Sequence, residues 1–337
     1  MLFARVFYSF TLLINKIKMK IEKILVIGAS GQLGSVLTGK LRDKWGRNNI
    51  VASDLYQQVN FEGVFETLDA TDFKALEAIV LKYGITQIYH LAAILSANGE
   101  KSPLDTWNIN MNSLFNVLEV SRIHSVDKVF FPSSIAVFGE NISRKNTLQF
   151  SNLTPSTVYG MSKASGENWA NYYFRKYGLD VRSIRYPGVI GYQSLPGGGT
   201  TDYAVEIYHK AVKQERFECF LKPTTVLPMI YMDDAIRATI EIMDAPLDKI
   251  TIRTSYNISG VSFSPEEIVA SLKNIYADFE VIYQPDFRQA IADTWPMSVD
   301  DSIAKKDWNW KPEYSLETMT EDMIENLKEK YRTENTI

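Results

Sequence analysis

A glycine-rich loop near the start of the chain constrains the fold more than any other segment. Gly28, Gly31 and Gly34 follow the apolar run Ile24–Ile27 and precede a segment with leucines at four-residue steps. This order predicts a strand, a tight turn and a helix whose N-terminus can receive a phosphate group. The next predicted strand ends in Asp54, whose carboxylate can accept hydrogen bonds from a ribose. The pattern therefore predicts a dinucleotide-binding α/β unit, and the negative charge of Asp54 favours NAD over NADP.

Composition excludes several classes of function. The 337 residues are 45% hydrophobic and 23% charged, so the chain can form a dinucleotide-binding domain and a smaller lobe. A formal net charge of −4 gives no basic surface for nucleic acid. The single cysteine, Cys219, cannot form an internal disulfide, and the three histidines lack the spacing of metal ligands. We therefore expect a reducing compartment, no metal, and no nucleic-acid or membrane partner.

The first twenty residues differ from the rest of the chain. They are basic and apolar without an acidic residue, and their apolar run from Val6 to Ile14 is too short to span a bilayer. Met19 begins a segment typical of the start of a cytoplasmic enzyme. We predict that residues 1–20 are a leader outside the fold, from a misplaced start or as a disordered extension. A mitochondrial presequence, which would place the protein in the matrix, and a secretory or membrane signal are the alternatives.

A second motif combines groups that suit acid–base chemistry. Tyr159 and Lys163 lie four residues apart at the start of a predicted helix, so their side chains share one face. An ammonium group near a phenol lowers the pKa of the phenol, and Tyr159 can then take a proton from an alcohol. Ser134, at the end of an apolar strand, can hold the substrate oxygen, with Ser133 as the alternative. The Tyr–Lys spacing alone also occurs on solvated helices; its combination with the glycine loop favours an active site.

These motifs, in this order, resemble the extended short-chain dehydrogenase/reductase superfamily over residues 22–330. The resemblance implies a Rossmann-type, doubly wound parallel α/β sheet in residues 21–190. It also implies a smaller substrate-binding lobe in residues 191–337, interleaved with the last elements of the sheet. Ser134, Tyr159 and Lys163 match the catalytic positions. The residues expected to contact NAD are Gly28, Ser30, Gly31, Gln32, Leu33, Gly34, Asp54, Leu68, Asp69, Leu91, Ala92, Ala93, Asn110, Tyr159, Lys163, Tyr186 and Pro187.

Four of these cofactor positions have structural alternatives. Asp69 follows a predicted strand and can cap it instead of contacting adenine. Asn110 matches a position that holds a water or proton relay in the superfamily, but it can also lie on a polar helix face. Tyr186 and Pro187 pass beside the nicotinamide in relatives, yet they can form a simple strand-ending turn.

Three further segments suggest a substrate. Ser133–Gly139, Pro196–Ala204 and Asp293–Pro296 look like the short-chain type of L-threonine 3-dehydrogenase. That resemblance implies oxidation of the threonine β-hydroxyl by NAD to 2-amino-3-oxobutyrate. The amides and hydroxyls that open the helix after Pro196 can hold a carboxylate, and a late tryptophan can cover the substrate; a helix cap and a packed aromatic are the alternative. The expected substrate contacts are Ser96, Ser134, Tyr159, Gly198, Thr200, Thr201 and Trp295.

Other functions and the oligomeric state remain open at this point. A nucleotide-sugar epimerase or dehydratase with tightly bound NAD shares the same serine, tyrosine and lysine. A non-catalytic NAD-sensing scaffold is the alternative from another class. In the superfamily, two helices, here about residues 105–122 and 157–177, often pair across a twofold axis. We therefore expect a homodimer.

Overall fold

The computed structural model describes residues 22–57, 62–197 and 199–334. The predicted leader at residues 1–20 and the predicted substrate contact Gly198 lie outside the described residues. The strands are β1 (Ile24–Ile27), β2 (Ile50–Asp54), β3 (Val64–Thr67), β4 (Gln87–His90), β5 (Lys128–Ser134), β6 (Asp180–Tyr186), β7 (Gly188–Ile190), β8 (Phe217–Cys219), β9 (Leu227–Tyr231), β10 (Tyr256–Asn257), β11 (Val261–Phe263) and β12 (Val281–Tyr283).

Helices connect most of these strands. They are α1 (Gln32–Trp45), α2 (Phe73–Tyr83), α3 (Ser96–Gly99), α4 (Pro103–Ile123), α5 (Val158–Tyr177), α6 (Tyr203–Val212), α7 (Met232–Asp244), α8 (Pro265–Lys273), α9 (Phe287–Ala292), α10 (Ser302–Trp308) and α11 (Leu316–Glu334). Three short 3-10 turns cover Arg47–Asn49, Ile135–Val137 and Leu247–Lys249.

The main sheet has seven strands in the order β10-β6-β5-β4-β1-β2-β3, and every neighbouring pair is parallel. The winding of the chain reverses between β1 and β4. In such sheets the loops diverge at the carboxyl ends of these two strands and leave a crevice that binds ligands. The predicted Rossmann-type parallel sheet is therefore confirmed.

Helices cover both faces of this sheet. On one face α1 and α7 pack with Trp308 and Trp310 in one apolar cluster. On the other face α2, α4 and α5 form a second cluster. Because both faces are covered, β1, β4 and β6 are buried along their whole length, which explains why β1 reads as a continuous apolar run.

The smaller lobe has its own sheets and its own core. β7 pairs in parallel with β9, which pairs antiparallel with β11, and β8 pairs with β12. These strands pack with α6, α8 and α11. At Pro187 the chain leaves β6 of the main sheet and continues as β7 of the lobe. Proline has no N–H to continue a strand ladder, so the chain changes sheets there.

The described residues were expected to have no membrane partner and no metal site. None of the helices in these ranges is long and apolar enough to cross a membrane. Within the same ranges, no group of three or more His, Cys, Asp or Glu side chains is arranged to hold a metal ion.

Candidate active site

A cavity of about 350 Å³ lies at the carboxyl ends of β1, β4, β5 and β6 and extends to the smaller lobe. It is the crevice expected from the strand order. The predicted site residues that line it are Gly28, Gly31, Gln32, Leu33, Gly34, Leu91, Ala93, Ser96, Ser134, Tyr159, Lys163, Tyr186, Pro187, Thr200, Thr201 and Trp295. The structure thus brings together, in one cavity, residues from most of the length of the chain.

The glycine loop is shaped by close backbone contacts. A Cβ atom on Gly34 would lie 2.0 Å from the Gly28 oxygen, and one on Gly28 would lie 2.6 Å from the Ala92 nitrogen. Gly28 also has a φ of +85°, which favours glycine. Within the described residues, α1 has no side-chain cap at Gly31 and no acid in its first turn. Its first amides and the positive end of its dipole therefore suit a pyrophosphate.

Asp54 lies beside this loop, at the end of β2. One carboxylate oxygen accepts a hydrogen bond from the Ser30 amide at 2.9 Å and the other accepts from the Leu55 amide at 2.8 Å. A carboxylate has about four acceptor positions, so it can also accept from ribose hydroxyls. Asp54 and Ser30 do not line the cavity itself, but they border the loop that does.

Four other predicted cofactor positions lie outside the cavity lining. Asp69 accepts hydrogen bonds from the amide and hydroxyl of Thr71, at 2.9 and 2.7 Å, in a local turn. Leu68 is buried in the core beside α2. Ala92 packs over Gly28 through its backbone.

Asn110 is the fourth predicted cofactor position outside the cavity lining. Its side chain accepts from the Ile94 amide at 2.8 Å and donates to the Ile94 carbonyl at 3.1 Å and to the Ser162 hydroxyl at 3.3 Å. The amide group therefore fixes the segment after β4 to helix α4 and to helix α5. Asn110 does not line the cavity, but it holds in place the segment whose residues Ala93 and Leu95 do.

The two serines at the end of β5 have different environments. Ser133 is buried, and its hydroxyl donates to Glu167 at 2.6 Å. The Ser134 hydroxyl accepts from the Ala136 amide at 3.1 Å and hydrogen-bonds to the Tyr159 hydroxyl. Between the two alternatives, this geometry favours Ser134 as the hydroxyl that meets a substrate.

Burial decides the electrostatics of Tyr159 and Lys163. Removal from water raises the pKa of Tyr159 to about 12, although a hydrogen bond from Ser134 acts to lower it. The same effect lowers the pKa of Lys163 to about 7. The Lys163 Nζ lies 5.5 Å from the centre of the Tyr159 ring and 4.7 Å from that of Phe131. The sequence predicted an ammonium that lowers the pKa of the Tyr159 phenol, but burial raises that pKa and disfavours the charged form of Lys163.

His90 lies at the end of β4, beneath this pair. It is buried, and its Nε2 is 3.3 Å from the Ser113 hydroxyl. Burial, with a smaller effect of Lys163, lowers the pKa of His90 to about 3. His90 is therefore a neutral imidazole packed in the sheet.

Two buried polar groups at the cavity have no hydrogen-bond partner among the described residues. They are the Thr200 hydroxyl and the indole N–H of Trp295, and both residues line the cavity. An unsatisfied buried polar group is costly, so such groups often mark a position that a ligand completes. Ser96, the first residue of α3, also lines this part of the cavity.

The loop before α6 differs in part from the prediction. The Gly199 amide donates to the Asp202 carboxylate at 2.8 Å, so this amide already has an acceptor within the loop. Asp202 lines the cavity and was not predicted. An acid directly after Thr200 and Thr201 was the available signal. Ser133, the alternative to Ser134, also lines the cavity, and the other unpredicted lining residues are Leu95, Pro132, Ile135, Gly188, Val189, Gly197 and Gly199.

Comparison with known proteins agrees with this geometry. A family model described as the NAD dependent epimerase/dehydratase family matches residues 24–259. The chain belongs to this family. It is 44% identical to the mitochondrial L-threonine 3-dehydrogenase of Bos taurus over 307 residues, which is 90% of this chain and 82% of the bovine protein.

Two solved structures extend the comparison. A GalE-like L-threonine dehydrogenase from Cupriavidus necator, in its holo form, has a TM-score of 0.90 and 51% identity, covering 91% of this chain and 100% of that one. A monomeric L-threonine 3-dehydrogenase from a metagenome has a TM-score of 0.89 and 48% identity, covering 91% and 99%. The resemblance to short-chain dehydrogenases is confirmed, and the protein is a nicotinamide-dependent dehydrogenase.

Proposed function

We propose that this protein oxidises L-threonine at its β-hydroxyl, with NAD, to 2-amino-3-oxobutyrate. The observation that carries the proposal is the single cavity that holds Ser134, Tyr159 and Lys163 together with the unsatisfied groups of Thr200 and Trp295. The first three groups suit proton transfer from an alcohol, and the last two suit a small polar substrate. Relatives named L-threonine dehydrogenases, 44–51% identical, support this choice of substrate.

The residues divide the chemistry between them. Ser134 and Tyr159 bind the hydroxyl of the substrate, and the Tyr159 oxygen takes its proton. Bound NAD supplies the hydride acceptor and a positive ring charge, which favours the phenolate. Lys163 would hold the nicotinamide ribose, and its position beside Tyr159 lets it share in proton transfer. Gly28, Gly31 and Gly34 hold the pyrophosphate at the start of α1.

The direct test is NADH production by the purified protein. With L-threonine and NAD we expect NADH absorbance to rise, and with a UDP-sugar we expect neither NADH nor an epimerised sugar. Interconversion of the UDP-sugar without net NADH, and no reaction with threonine, would identify the nucleotide-sugar alternative. Cofactor binding without turnover of either substrate would identify the sensing scaffold.

The Thr200 hydroxyl gives a sharper test of the substrate site. Replacing Thr200 with Val keeps the shape of the side chain and removes a buried hydroxyl that has no hydrogen-bond partner among the described residues, so we expect the Tm to stay the same or rise. If that hydroxyl binds threonine, KM should rise about 3- to 10-fold, the usual effect of one hydrogen bond. Steady-state kinetics and thermal unfolding give the two values.

Thr225→Val is the matched control for this variant. Thr225 is also buried in the smaller lobe, but its hydroxyl exchanges hydrogen bonds with Gln289 and lies outside the cavity lining. We expect a lower Tm and an unchanged KM for threonine. An unchanged KM in Thr200→Val would remove Thr200 from the substrate site.

Asp54 is expected to set the preference for NAD. Asp54→Ala removes the carboxylate that accepts ribose hydrogen bonds, so NAD binding should weaken by about 10-fold or more, from two lost bonds. It also removes the charge that repels a 2′-phosphate, so the ratio of NADH to NADPH affinity should fall. Fluorescence titration with both reduced cofactors measures this. Equal use of NADP by the unchanged protein would show that Asp54 does not select NAD.

The oligomeric state remains a proposal. Apolar side chains of α4 and α5 that are partly exposed support a homodimer through this face: Trp107, Met161, Trp169, Tyr172 and Tyr177. One close structural relative is named monomeric, so the same fold also occurs without a partner. A cytoplasmic location is likewise proposed, with the matrix as the alternative if residues 1–20 are a presequence.

A further inference from the structure

A buried ion pair lies directly behind the catalytic groups. Arg185 of β6 donates two hydrogen bonds to Glu167 of α5, at 2.9 and 2.7 Å, and both side chains are almost completely buried. The Ser133 hydroxyl donates to the same carboxylate at 2.6 Å. The remaining guanidinium nitrogen donates to the Gln149 carbonyl at 2.9 Å and to the Asn257 side chain at 3.1 Å. This group of residues, the Glu167 network, is not part of the proposed chemistry.

The network joins the elements that carry the catalytic side chains. Glu167 lies one helical turn beyond Lys163 and two beyond Tyr159, so it holds α5 on the face that presents both groups. Ser133 is the residue before Ser134, and consecutive Cα atoms are about 3.8 Å apart, so a fixed Ser133 also fixes Ser134. One carboxylate thus links the strand that bears Ser134 to the helix that bears Tyr159.

Close packing surrounds this link. A Cβ atom on Gly166 would lie 2.4 Å from the Phe131 ring, so α5 lies directly on β5. The Arg185 guanidinium lies 5.1 Å from the centre of the Phe138 ring, beneath the turn that follows Ser134. Arg185 and Ser133 are paired in register across the sheet. A small shift of Glu167 would therefore move β5 relative to α5.

The stability of the fold does not by itself explain a buried ion pair between Glu167 and Arg185. Burying two charges costs desolvation energy, and well-packed apolar side chains in place of a buried ion pair are often as stable or more stable. The directional hydrogen bonds of a carboxylate and a guanidinium, in contrast, fix distances between three elements, which an apolar contact does less well.

We propose that Glu167, held by Arg185 and by the Ser133 hydroxyl, is a positioning residue that sets the separation of Ser134 and Tyr159. The proposal rests on the proposed function for its kinetic consequence. Glu167 does not line the cavity, so it acts through Ser133 and through helix α5. Misplacement of reacting groups by about 1 Å can reduce turnover by about 100-fold, so loss of this link should lower kcat more than it raises KM.

The first variant is Ser133→Ala, which leaves the ion pair intact. We expect kcat for threonine to fall about 10-fold or more, with KM changed less than about 2-fold, because the substrate contacts remain. Ser183→Ala is the matched control. Ser183 is a buried serine of β6 whose hydroxyl donates to Ser255 at 2.9 Å, outside the cavity lining. In Ser183→Ala we expect the Tm to fall about as much as in Ser133→Ala, while kcat stays normal.

Hydrogen exchange gives a measurement that does not depend on turnover. In Ser133→Ala, exchange of the backbone amides should increase in the first turns of α5 and at the end of β5, and in Ser183→Ala it should not. If the unchanged protein makes no NADH from threonine, the proposed function fails, and the exchange pattern alone then tests the positioning role. Native kcat, or native exchange in these segments, in Ser133→Ala would overturn the proposal.

A double variant separates positioning from charge burial. Glu167→Leu alone leaves Arg185 buried without its partner and can fail to fold. Glu167→Leu combined with Arg185→Met removes both charges and should restore folding. We expect its kcat to remain reduced about 100-fold at a Tm close to that of the unchanged protein. Recovery of both Tm and kcat in the double variant would show that the network has no positioning role.

Discussion

Replacing Tyr159 with Phe is expected to lower kcat by about 100- to 10,000-fold, the usual range for removal of an acid–base group. The ring stays in place, so the cavity keeps its shape. NADH binding should persist with at most a modest loss, because the glycine loop and Asp54 are unchanged. Stopped-flow or steady-state assays of NADH formation measure turnover, and fluorescence titration measures NADH binding.

Tyr173→Phe is the control for this prediction. Tyr173 lies on the same helix, and its hydroxyl donates to Glu119 at 2.5 Å, outside the cavity lining. Loss of that hydroxyl can lower the Tm but should leave kcat within about 2-fold, since no reacting group moves. Near-native turnover in Tyr159→Phe would exclude Tyr159 as the base.

The pH dependence of the reaction should have a defined direction. A base acts in its deprotonated form, so kcat/KM should rise with pH through the apparent pKa of Tyr159. Burial raises that pKa to about 12 in the free protein, and a positive charge bound nearby lowers it. In Tyr159→Phe the residual activity should lose this rise. A pH profile that is unchanged in the variant would assign the titration to another group.

Gly34→Ala is expected to have the second large effect. Its new Cβ would lie 2.0 Å from the Gly28 oxygen and 2.8 Å from the Ala29 Cα, and both are backbone atoms that cannot move without deforming the loop. The amides at the start of α1 would then no longer converge on a pyrophosphate. We expect NADH affinity to fall by about 100-fold or more, equivalent to several lost hydrogen bonds, and the Tm to fall as well.

Gly39→Ala is a matched control in the same helix. A Cβ atom there has no neighbour within 4 Å, and Gly39 is exposed. Alanine favours a helix over glycine by about 0.5–1 kcal/mol, so this variant should be slightly more stable and should bind NADH normally. Normal NADH affinity in Gly34→Ala would show that the loop does not hold the cofactor as proposed.

Much of the main sheet followed from local patterns in the sequence. The strand, glycine loop and helix at residues 24–45 are specified by an apolar run, by positions where only glycine fits, and by four-residue periodicity. Helices α4 and α5 also agree closely with the predicted ranges of about 105–122 and 157–177. Such features depend on neighbours in the chain, so they can be read without knowledge of distant contacts.

Pattern alone did not show where the chain changes sheets. Residues 181–190 mix apolar side chains with two arginines and a serine, and no pattern in them indicates that β6 and β7 belong to different sheets. Pro187 was the only residue in this segment that indicated a break between two strands. The partner of β7 is β9, about forty residues later in the chain, and only the folded lobe supplies it.

The sequence by itself determined the dinucleotide-binding unit and the face shared by Tyr159 and Lys163, because glycine sterics and helical spacing are local. Tertiary structure alone decided which serine faces Tyr159, since the partner of Ser133 is Glu167, 34 residues away. It also decided the pKa shifts: burial raises the pKa of Tyr159, which was predicted to fall, and lowers that of Lys163. Those shifts follow from how completely the assembled sheet, helices and lobe exclude water, and desolvation depends on every element that packs around a group rather than on its neighbours in the chain.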